Sequence, residues 1–211
     1  DHDELERAPY TSNLFNDKVF KYYICKKCKS INIHPIPSQE DMNLMYGEED
    51  HSYLKTANNY SPSINYQKYN YKWHQLNYFE QNYPIIQNAK SLLDIGCGNT
   101  FYIRKAQEKG FDSHGVEFDP NFAQLVREKT KYNVFSIEEI EATSKQFDLI
   151  HLGHVLEHIG DPIAYMKRIM KLGHQDTLYI VDGPLENNRC ISRNFVDLIA
   201  KRNYSKNVLG F

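Results

Sequence analysis

Short apolar runs alternate with amphipathic stretches from residue 89 onward, and this alternation constrains the fold more than any other feature. Runs of this length are typical of strands that are buried on both faces. Helices between them imply parallel pairing with right-handed crossovers. The sequence therefore predicts an α/β fold with a mainly parallel sheet. The predicted strands are SLLDIG (91–96), SHGVEF (113–118), NVFS (133–136), FDLIHLG (147–153) and TLYIVDG (177–183).

Acids, prolines and glycines mark the ends of the predicted helices. Asp119 and Asp161 each precede a proline, which places an N-cap acid before a proline at the first helical position. Gly110 and Gly173 follow helix-like stretches and predict where those helices stop. The apolar faces of the helices are predicted from Ile103 and Ala106, from Phe122, Leu125 and Val126, and from Ile163, Met166, Ile169 and Met170.

The length and composition indicate a single α/β domain with an appendage. The chain has 211 residues and a net charge of −2, so no bulk charge attracts nucleic acid or an anionic membrane. No apolar stretch approaches the length of about 18 residues that a membrane span needs. Four cysteines make no disulfide framework, and the first residues lack the pattern of a signal peptide, so we expect a cytoplasmic protein. The oligomeric state is left open.

Tyrosines crowd the region before the predicted sheet. Tyr66, Trp73, Leu76 and Phe79 recur at roughly helical spacing, which predicts a helix with one packed face. That helix either docks on the core or covers a ligand as a lid. We divide the chain into an N-terminal cap (1–60), a connecting helix (61–88) and the sheet domain (89–211). Residues 193–204 predict one more helix, no closing strand is evident, and we expect the chain to be incomplete at this end.

A glycine turn follows the first predicted strand of the sheet. Gly96 and Gly98 fit the start of a dinucleotide-binding turn, but Phe101 replaces its third glycine. Asp94 precedes the turn and would repel a pyrophosphate, whereas it would attract a cationic ligand. S-adenosylmethionine (SAM) carries an ammonium and a sulfonium and no phosphate. The turn therefore favours SAM over NAD.

A second acid stands at the end of the next predicted strand. Parallel neighbouring strands would place Glu117 beside the glycine turn. A carboxylate there accepts hydrogen bonds from both hydroxyls of a ribose, which suits an adenosine ligand. The alternative is an ordinary solvated acid at the end of a strand.

Residues 91–184 resemble the core of a class I SAM-dependent methyltransferase. The matching pieces are LLDIGCG, GVEFDP, FDLIHLGHVLEHIGDP and YIVDGP, in the order and spacing of that family. The resemblance implies a Rossmann-like sheet and a set of cofactor-binding residues. These are Asp94, Gly96, Cys97, Gly98 and Thr100 in the turn, Glu117 and Phe118 after the second strand, Ser136 and Ile137 after the third, and Leu152, Gly153 and His154 at the fourth.

Thr100 departs from the family pattern, which has a third glycine at this position. A β-branched residue is acceptable there if its φ is negative. Its hydroxyl would then cap the following helix or bind the carboxylate of SAM. We interpret Thr100 as a tolerated variant, although a weakened cofactor site is the alternative.

The loop after the fourth strand carries the candidate catalytic groups. A hydroxyl acceptor needs a general base, and histidine is the usual one. His154 and His158 lie in this loop with Glu157 between them, at the carboxyl end of a parallel strand where ligands bind. Three alternatives stay open for His154: it is the general base, it contacts the cofactor or the loop, or it has no special role. His158 and Glu157 either serve the chemistry or hold the loop.

The N-terminal region contains half of a zinc-binding motif. Cys25 and Cys28 have the spacing of two zinc ligands, but no second pair completes the set. Several sugar methyltransferases carry a zinc ribbon whose second half is similar to this segment. The resemblance implies a possible structural zinc and makes Tyr46 and Tyr53 site candidates. A redox role for the cysteine pair lacks the expected βαβ context.

These observations predict a methyltransferase that uses SAM on a small molecule. A sugar or nucleotide-linked sugar hydroxyl is the leading acceptor, on the resemblance alone. One alternative is an RNA or protein methyltransferase, although the few lysines near CKKCK do not indicate a nucleic-acid partner. The other is a non-catalytic SAM-binding scaffold domain.

Overall fold

The structure, a computed structural model, describes residues 5–7, 13–15, 17–27, 31–38, 40–41, 70–98, 100–183 and 208–210. Contacts divide the chain into two compact units, Asp1–Ser52 and Tyr53–Phe211. The predicted three-part division remains a prediction. The predicted connecting helix falls in the larger unit, since its described part packs on the core of that unit.

Short antiparallel strands form the described part of the smaller unit. They are β1 (Leu5–Arg7), β2 (Asn13–Phe15), β3 (Lys18–Cys25) and β4 (Ile31–His34), and β3 pairs with each of the other three. Lys18 forms an ion pair with the buried carboxylate of Asp41, at 2.7 Å between Nζ and Oδ1. Asp41 Oδ2 also accepts hydrogen bonds from Ser38. This ion pair therefore ties the start of β3 to the segment after β4.

A parallel six-stranded sheet organises the larger unit. Its order is β10-β9-β8-β5-β6-β7, and every neighbouring pair is parallel. The five strands predicted from the apolar runs are all present, which confirms the predicted fold class. The sixth strand was not predicted, because three residues carry too little pattern. The strands are β5 (Ser91–Ile95), β6 (Asp112–Val116), β7 (Asn133–Phe135), β8 (Phe147–Gly153), β9 (Gly173–Asp182) and β10 (Val208–Gly210).

The strand order reverses at β5, and this reversal locates the crevice of the fold. The chain continues from β5 to β6 on one side and returns later to β8 on the other side. Crossovers leave opposite faces of the sheet at such a point, so a crevice opens at the carboxyl ends of the two central strands. The topology therefore places the expected ligand crevice at the ends of β5 and β8.

Helices flank this sheet, and their caps agree with the sequence. The Asp119 carboxylate accepts a hydrogen bond from Asn121 N at 2.8 Å, and Asp161 Oδ1 accepts one from Ala164 N at 2.9 Å. Both predicted N-caps are confirmed, and Gly110 has the positive φ (89°) of a helix-ending glycine. The α-helices are α1 (Asn70–Asn82), α2 (Pro84–Gln87), α3 (Phe101–Glu108), α4 (Pro120–Thr130), α5 (Ile137–Ala142) and α6 (Pro162–Ile169).

The connecting helix is docked on the core. Leu76 and Phe79 of α1 are fully buried, in one apolar cluster with Leu149 and Ile180 of the sheet. Their burial supports docking rather than a lid. Tyr66 and the side chain of Trp73 lie outside the described residues.

The predicted apolar face of α6 is wrong at its two ends. Ile169 is fully buried, but Ile163 is 69% exposed and Met170 is 55% exposed. Ile163 lies in the first turn of the helix, and Met170 begins a 3₁₀ turn, whose tighter winding rotates it away from the helical stripe. Gly173 is the C-cap of this 3₁₀ turn, so the helical stretch ends where it was predicted to end. Gly173 is also the first residue of β9, so this strand begins earlier than predicted.

Candidate active site

The glycine turn lies between the end of β5 and the start of α3. Gly96 has φ +67° and Gly98 has φ +49°, values that favour glycine. A Cβ on Gly96 would lie 2.8 Å from Val155 Cγ2, so Gly96 is required by space as well. A Cβ on Gly98 would come within 4 Å of no atom of the described residues, so only its backbone conformation requires glycine. The chain surface above Gly98 therefore leaves room for a ligand.

Thr100 adopts a left-handed backbone conformation, with φ +60° and ψ +17°. The condition of a negative φ is therefore not met, and the Thr100 side chain makes no capping hydrogen bond to α3. Of the two roles considered for its hydroxyl, the helix cap is wrong and the contact with SAM remains a prediction. The turn keeps the backbone path that a third glycine would follow, and a β-branched residue is strained there. The residue is also buried, at 2% exposure.

Glu117 and the glycine turn are in direct contact. Glu117 Oε1 accepts a hydrogen bond from Gly98 N, and the Cys97 thiol also bonds the same carboxyl group. Burial raises the pKa of Glu117 to about 7, and burial together with the nearby Glu117 charge raises the pKa of Cys97 well above its ordinary value. The sequence correctly predicted that this acid stands beside the turn. Its role toward a ribose remains a prediction.

The residues predicted to surround an adenine differ in their surroundings. Phe118 is 57% exposed directly after Glu117, so its ring is available to a flat ligand. Ser136 is the N-cap of α5 in a capping box with Glu139, and Ile137 is buried in the core. Side-chain contacts of Ser136 and Ile137 with a ligand are therefore not supported by their positions, and their role remains a prediction.

Asp94 is buried at the end of β5 and has two different carboxylate oxygens. Asp94 Oδ1 lies 2.6 Å from His151 Nδ1, within hydrogen-bond distance. Asp94 Oδ2 is buried and has no hydrogen-bond partner among the described residues. A buried carboxylate oxygen without a donor is costly unless something else binds it. This oxygen fits a cationic donor from outside the chain.

His151 was not predicted as a site residue. It lies in the middle of β8, is fully buried, and is the registered neighbour of Asp94 across the two strands. Its ring stacks on Tyr102 at 4.0 Å between centroids, and its Nε2 lies 3.4 Å from Asp182 Oδ2. The available signal was a histidine between Ile150 and Leu152, in the apolar part of a predicted strand.

The loop after β8 brings the predicted catalytic residues together. His154 has φ +58°, and its backbone N–H donates to Asp182 O at 3.1 Å. Glu157 Oε1 lies 3.3 Å from His154 Nδ1 and 3.9 Å from His158 Nε2. The side chains of His154 and His158 are about half exposed, so both rings are accessible to solvent.

Leu152 and Gly153 form the end of β8 beneath this loop. Leu152 is fully buried in the core. A Cβ on Gly153 would lie 2.7 Å from His151 Cε1 and 3.2 Å from Asp182 Oδ1, so glycine makes room for both. Gly153 therefore serves the packing of this strand end.

The zinc hypothesis is only partly addressed by the described residues. Cys25 is partly buried at the end of β3 and forms no disulfide. Cys28, Tyr46 and Tyr53 lie outside the described residues. Within the described ranges, no group of three or more His, Cys, Asp or Glu side chains is placed to hold a metal ion. None of the helices in these ranges combines the length and apolar character of a membrane span.

Comparison with known proteins gives consistent results. A family profile described as a methyltransferase domain matches residues 66–190. The tRNA U34 carboxymethyltransferase of Campylobacter lari is 28% identical over 147 residues, which cover 64% of this chain and 48% of that protein. The ubiquinone biosynthesis O-methyltransferase of Aliivibrio fischeri is 24% identical over 112 residues, 47% of either protein. The chain thus spans about half the length of the curated relatives it matches.

Solved structures with similar folds were also found. The plantazolicin methyltransferase BpumL, in complex with a triazolic desmethylPZN analog and SAH, has a TM-score of 0.49 and 13% identity, over 65% of this chain and 54% of that one. An S-adenosylmethionine-dependent methyltransferase from Clostridium acetobutylicum has a TM-score of 0.45 and 18% identity, over 62% and 57%. The family profile covers more than half of the chain, and on that match the chain belongs to the methyltransferase domain family, of the class I SAM-dependent type.

Proposed function

We propose that this chain binds SAM at the carboxyl edge of its parallel sheet and transfers the methyl group of SAM to a small-molecule acceptor. The observation that carries the proposal is Asp94 Oδ2, a buried carboxylate oxygen without a hydrogen-bond partner among the described residues. Family membership adds the cofactor class. SAM supplies an electrophilic methyl group on a cationic sulfur and an ammonium that such an oxygen would bind.

The residues around Asp94 fit the remaining parts of SAM. Gly98 leaves room above the turn, and Glu117 Oε1 already bonds its backbone N–H. The other oxygen of Glu117 would accept hydrogen bonds from the ribose. Phe118, exposed beside Glu117, would pack on the adenine.

The loop after β8 would serve the acceptor. His154 is the candidate general base, because it follows the strand end directly and its Nδ1 faces Glu157 Oε1 at 3.3 Å. Glu157 would hold the imidazole in one orientation and stabilise its charged form after proton transfer. His158 lies farther from this carboxylate, at 3.9 Å, and would support the loop. An amine acceptor would need no base.

A sugar or nucleotide-linked sugar hydroxyl is our proposed acceptor, and it rests on the similarity of the N-terminal segment to sugar methyltransferases. A nucleic acid is the second candidate, because a relative 28% identical to this chain is a tRNA carboxymethyltransferase. The net charge of −2 favours the small molecule, because phosphate backbones are bound by basic surfaces.

Calorimetry with SAM tests the cofactor assignment. Wild-type protein should bind SAM, and Asp94→Asn should weaken binding by about tenfold to a hundredfold, the effect of one hydrogen bond between charged groups. Asp176→Asn is the control, since it changes an exposed acid near the amino end of β9. Failure of the intact protein to bind SAM would overturn the proposal.

Methyl transfer from labelled SAM tests the acceptor. Sugar nucleotides, a catechol-type phenol and a tRNA transcript should be offered in parallel. Label in the sugar fraction is expected. Label in the tRNA alone would replace our acceptor with the nucleic acid. Tight SAM binding without transfer to any of the three would favour the scaffold domain.

A further inference from the structure

Three neighbouring strands each contribute one ionisable side chain to a buried row. Asp94 comes from β5, His151 from β8 and Asp182 from β9, and these strands are adjacent in the sheet. His151 Nδ1 lies 2.6 Å from Asp94 Oδ1, and His151 Nε2 lies 3.4 Å from Asp182 Oδ2. Both nitrogens of one imidazole thus face carboxylate oxygens.

This geometry decides the protonation state of the ring. A neutral imidazole has one N–H and one nitrogen lone pair, so either tautomer would direct a lone pair at a carboxylate. The imidazolium has two N–H groups and satisfies both carboxylates. The carboxylate of Asp94 is buried and that of Asp182 is 11% exposed, so without a cation between them the two would also repel each other in a site of low dielectric.

The neighbouring side chains also favour a charged His151 ring. Tyr102 of α3 stacks on the imidazole with an interplanar angle of 9°, an arrangement that favours a cation over the aromatic face. Gln75 Nε2 of α1 donates to Asp182 Oδ2 at 2.8 Å and fixes that carboxylate. Among the residues that the structure describes, the ionisable groups that face the ring are Asp94, Asp182 and Tyr102.

We infer that His151 is a positioning residue, an imidazolium that bridges Asp94 and Asp182 and orients the free oxygen of Asp94 toward the cofactor. The row of two carboxylates and one imidazolium retains a net charge of −1. Asp94 Oδ1 is held by His151, so the negative charge remains available at Asp94 Oδ2. The charge of His151 is inferred from the geometry alone, and only the effect of His151 on SAM affinity rests on the proposed function.

Asp182 extends this row to the candidate base. Its backbone carbonyl accepts a hydrogen bond from His154 N, and its Oδ1 lies 3.9 Å from His154 Nε2. His151 therefore holds the same strand end from which the loop with His154 departs. The cofactor acid and the acceptor loop share one buried cation as their anchor.

Nuclear magnetic resonance of the histidine ring nitrogens tests the charge directly, without any ligand. In the wild type, both ring nitrogens of His151 should still carry a proton at pH values well above 6.5, the approximate pKa of an ordinary histidine. His114 is the internal control, because burial and Lys145 lower its pKa and it should be neutral there. Asp182→Asn should make His151 lose its second proton at lower pH. A neutral His151 in the wild type, or an unchanged titration in Asp182→Asn, would overturn the inference.

Calorimetry then tests the consequence for the cofactor. His151→Gln should weaken SAM binding by about tenfold or more, since Asp94 loses a charged hydrogen-bond donor, whereas His114→Gln should leave it unchanged. Asp182→Asn, which keeps the shape of the side chain, serves if His151→Gln does not fold. Wild-type affinity in folded His151→Gln would contradict the positioning role. If the wild type binds no SAM, the proposed function fails while the resonance result still decides the charge of His151.

Discussion

Glu117 accepts a hydrogen bond from the backbone N–H of Gly98, so the acid that directly follows β6 holds the turn that follows β5. The contact is made within the protein itself, and it arranges the turn before any ligand arrives. It also places an ionisable group whose pKa burial raises to about 7 at the centre of the proposed cofactor site.

Stability should fall as pH rises through the pKa of Glu117. The folded pKa of about 7 exceeds the ordinary value of 4.5, so the folded state holds the proton more tightly than the unfolded state. Glu117 therefore favours folding most below about pH 4.5, and this contribution is lost as pH rises to about 7, by at most about 3 kcal/mol. Urea unfolding across this range should show that the stability of the wild type falls relative to that of Glu117→Gln as pH rises, because the other titrating groups are the same in both proteins. Parallel curves would contradict the raised pKa.

Glu117→Ala should weaken SAM binding by one to two orders of magnitude. The expected loss is about 1.5–3 kcal/mol, the contribution of hydrogen bonds to a charged group. Calorimetry measures it, and Glu108→Ala on the exposed surface of α3 is the control. An unchanged affinity would mean that the ribose partner is elsewhere.

Thr100→Gly should stabilise the protein by about 1 kcal/mol. Relief of the left-handed strain is worth about 1–3 kcal/mol, and the greater freedom of glycine in the unfolded chain offsets about 0.5–1 kcal/mol. Lys131→Gly is a matched control, because Lys131 has a similar φ of 64° but an unbranched Cβ and should gain less. Urea unfolding measures both variants. If Thr100→Gly destabilises the protein, the contacts of the threonine side chain contribute more to the free energy of unfolding than the backbone strain costs.

His154→Gln should lower kcat by about a hundredfold or more if His154 is the general base, with little change in the KM for SAM. The same substitution at His158, whose exposure is similar, should cost much less. Steady-state kinetics with the accepted substrate measures both. Equal losses in the two variants would reassign the loop histidines to a structural role.

Asp148→Asn should remove a part of the acid sensitivity of the fold. Burial alone would raise the pKa of Asp148, but hydrogen bonds from Lys90 and Ser91 outweigh it and lower the pKa to about 2. Its stabilising contribution is present above about pH 4 and is lost as pH falls to about 2, by roughly 1–2 kcal/mol after allowance for its partial exposure. Acid unfolding should therefore be less steep in the variant. An identical acid transition would contradict the prediction.

The parallel sheet and the location of the cofactor turn could be predicted because they depend on local pattern. Apolar runs, proline-marked caps and the spacing from Asp94 to Gly98 are properties of short segments. Glu117 could be placed beside the turn because parallel neighbours end at the same edge.

The remaining features depend on tertiary structure and were not predictable from such patterns. His151 became a site residue through the register of β8 against β5, which a single strand does not reveal. The φ of Thr100 is imposed by the path from β5 into α3, against its own preference. The exposure of Ile163 and Met170 follows from where α6 begins and changes its winding.

The contact between Gly96 and Val155 has a consequence for how this protein can change over time. A side chain at position 96 would collide with Val155 Cγ2, so the turn and the acceptor loop are fitted to each other at one point. A larger residue can appear at position 96 only if position 155 loses the methyl group that fills this space and the backbone leaves its positive φ, so the two positions would have to change together.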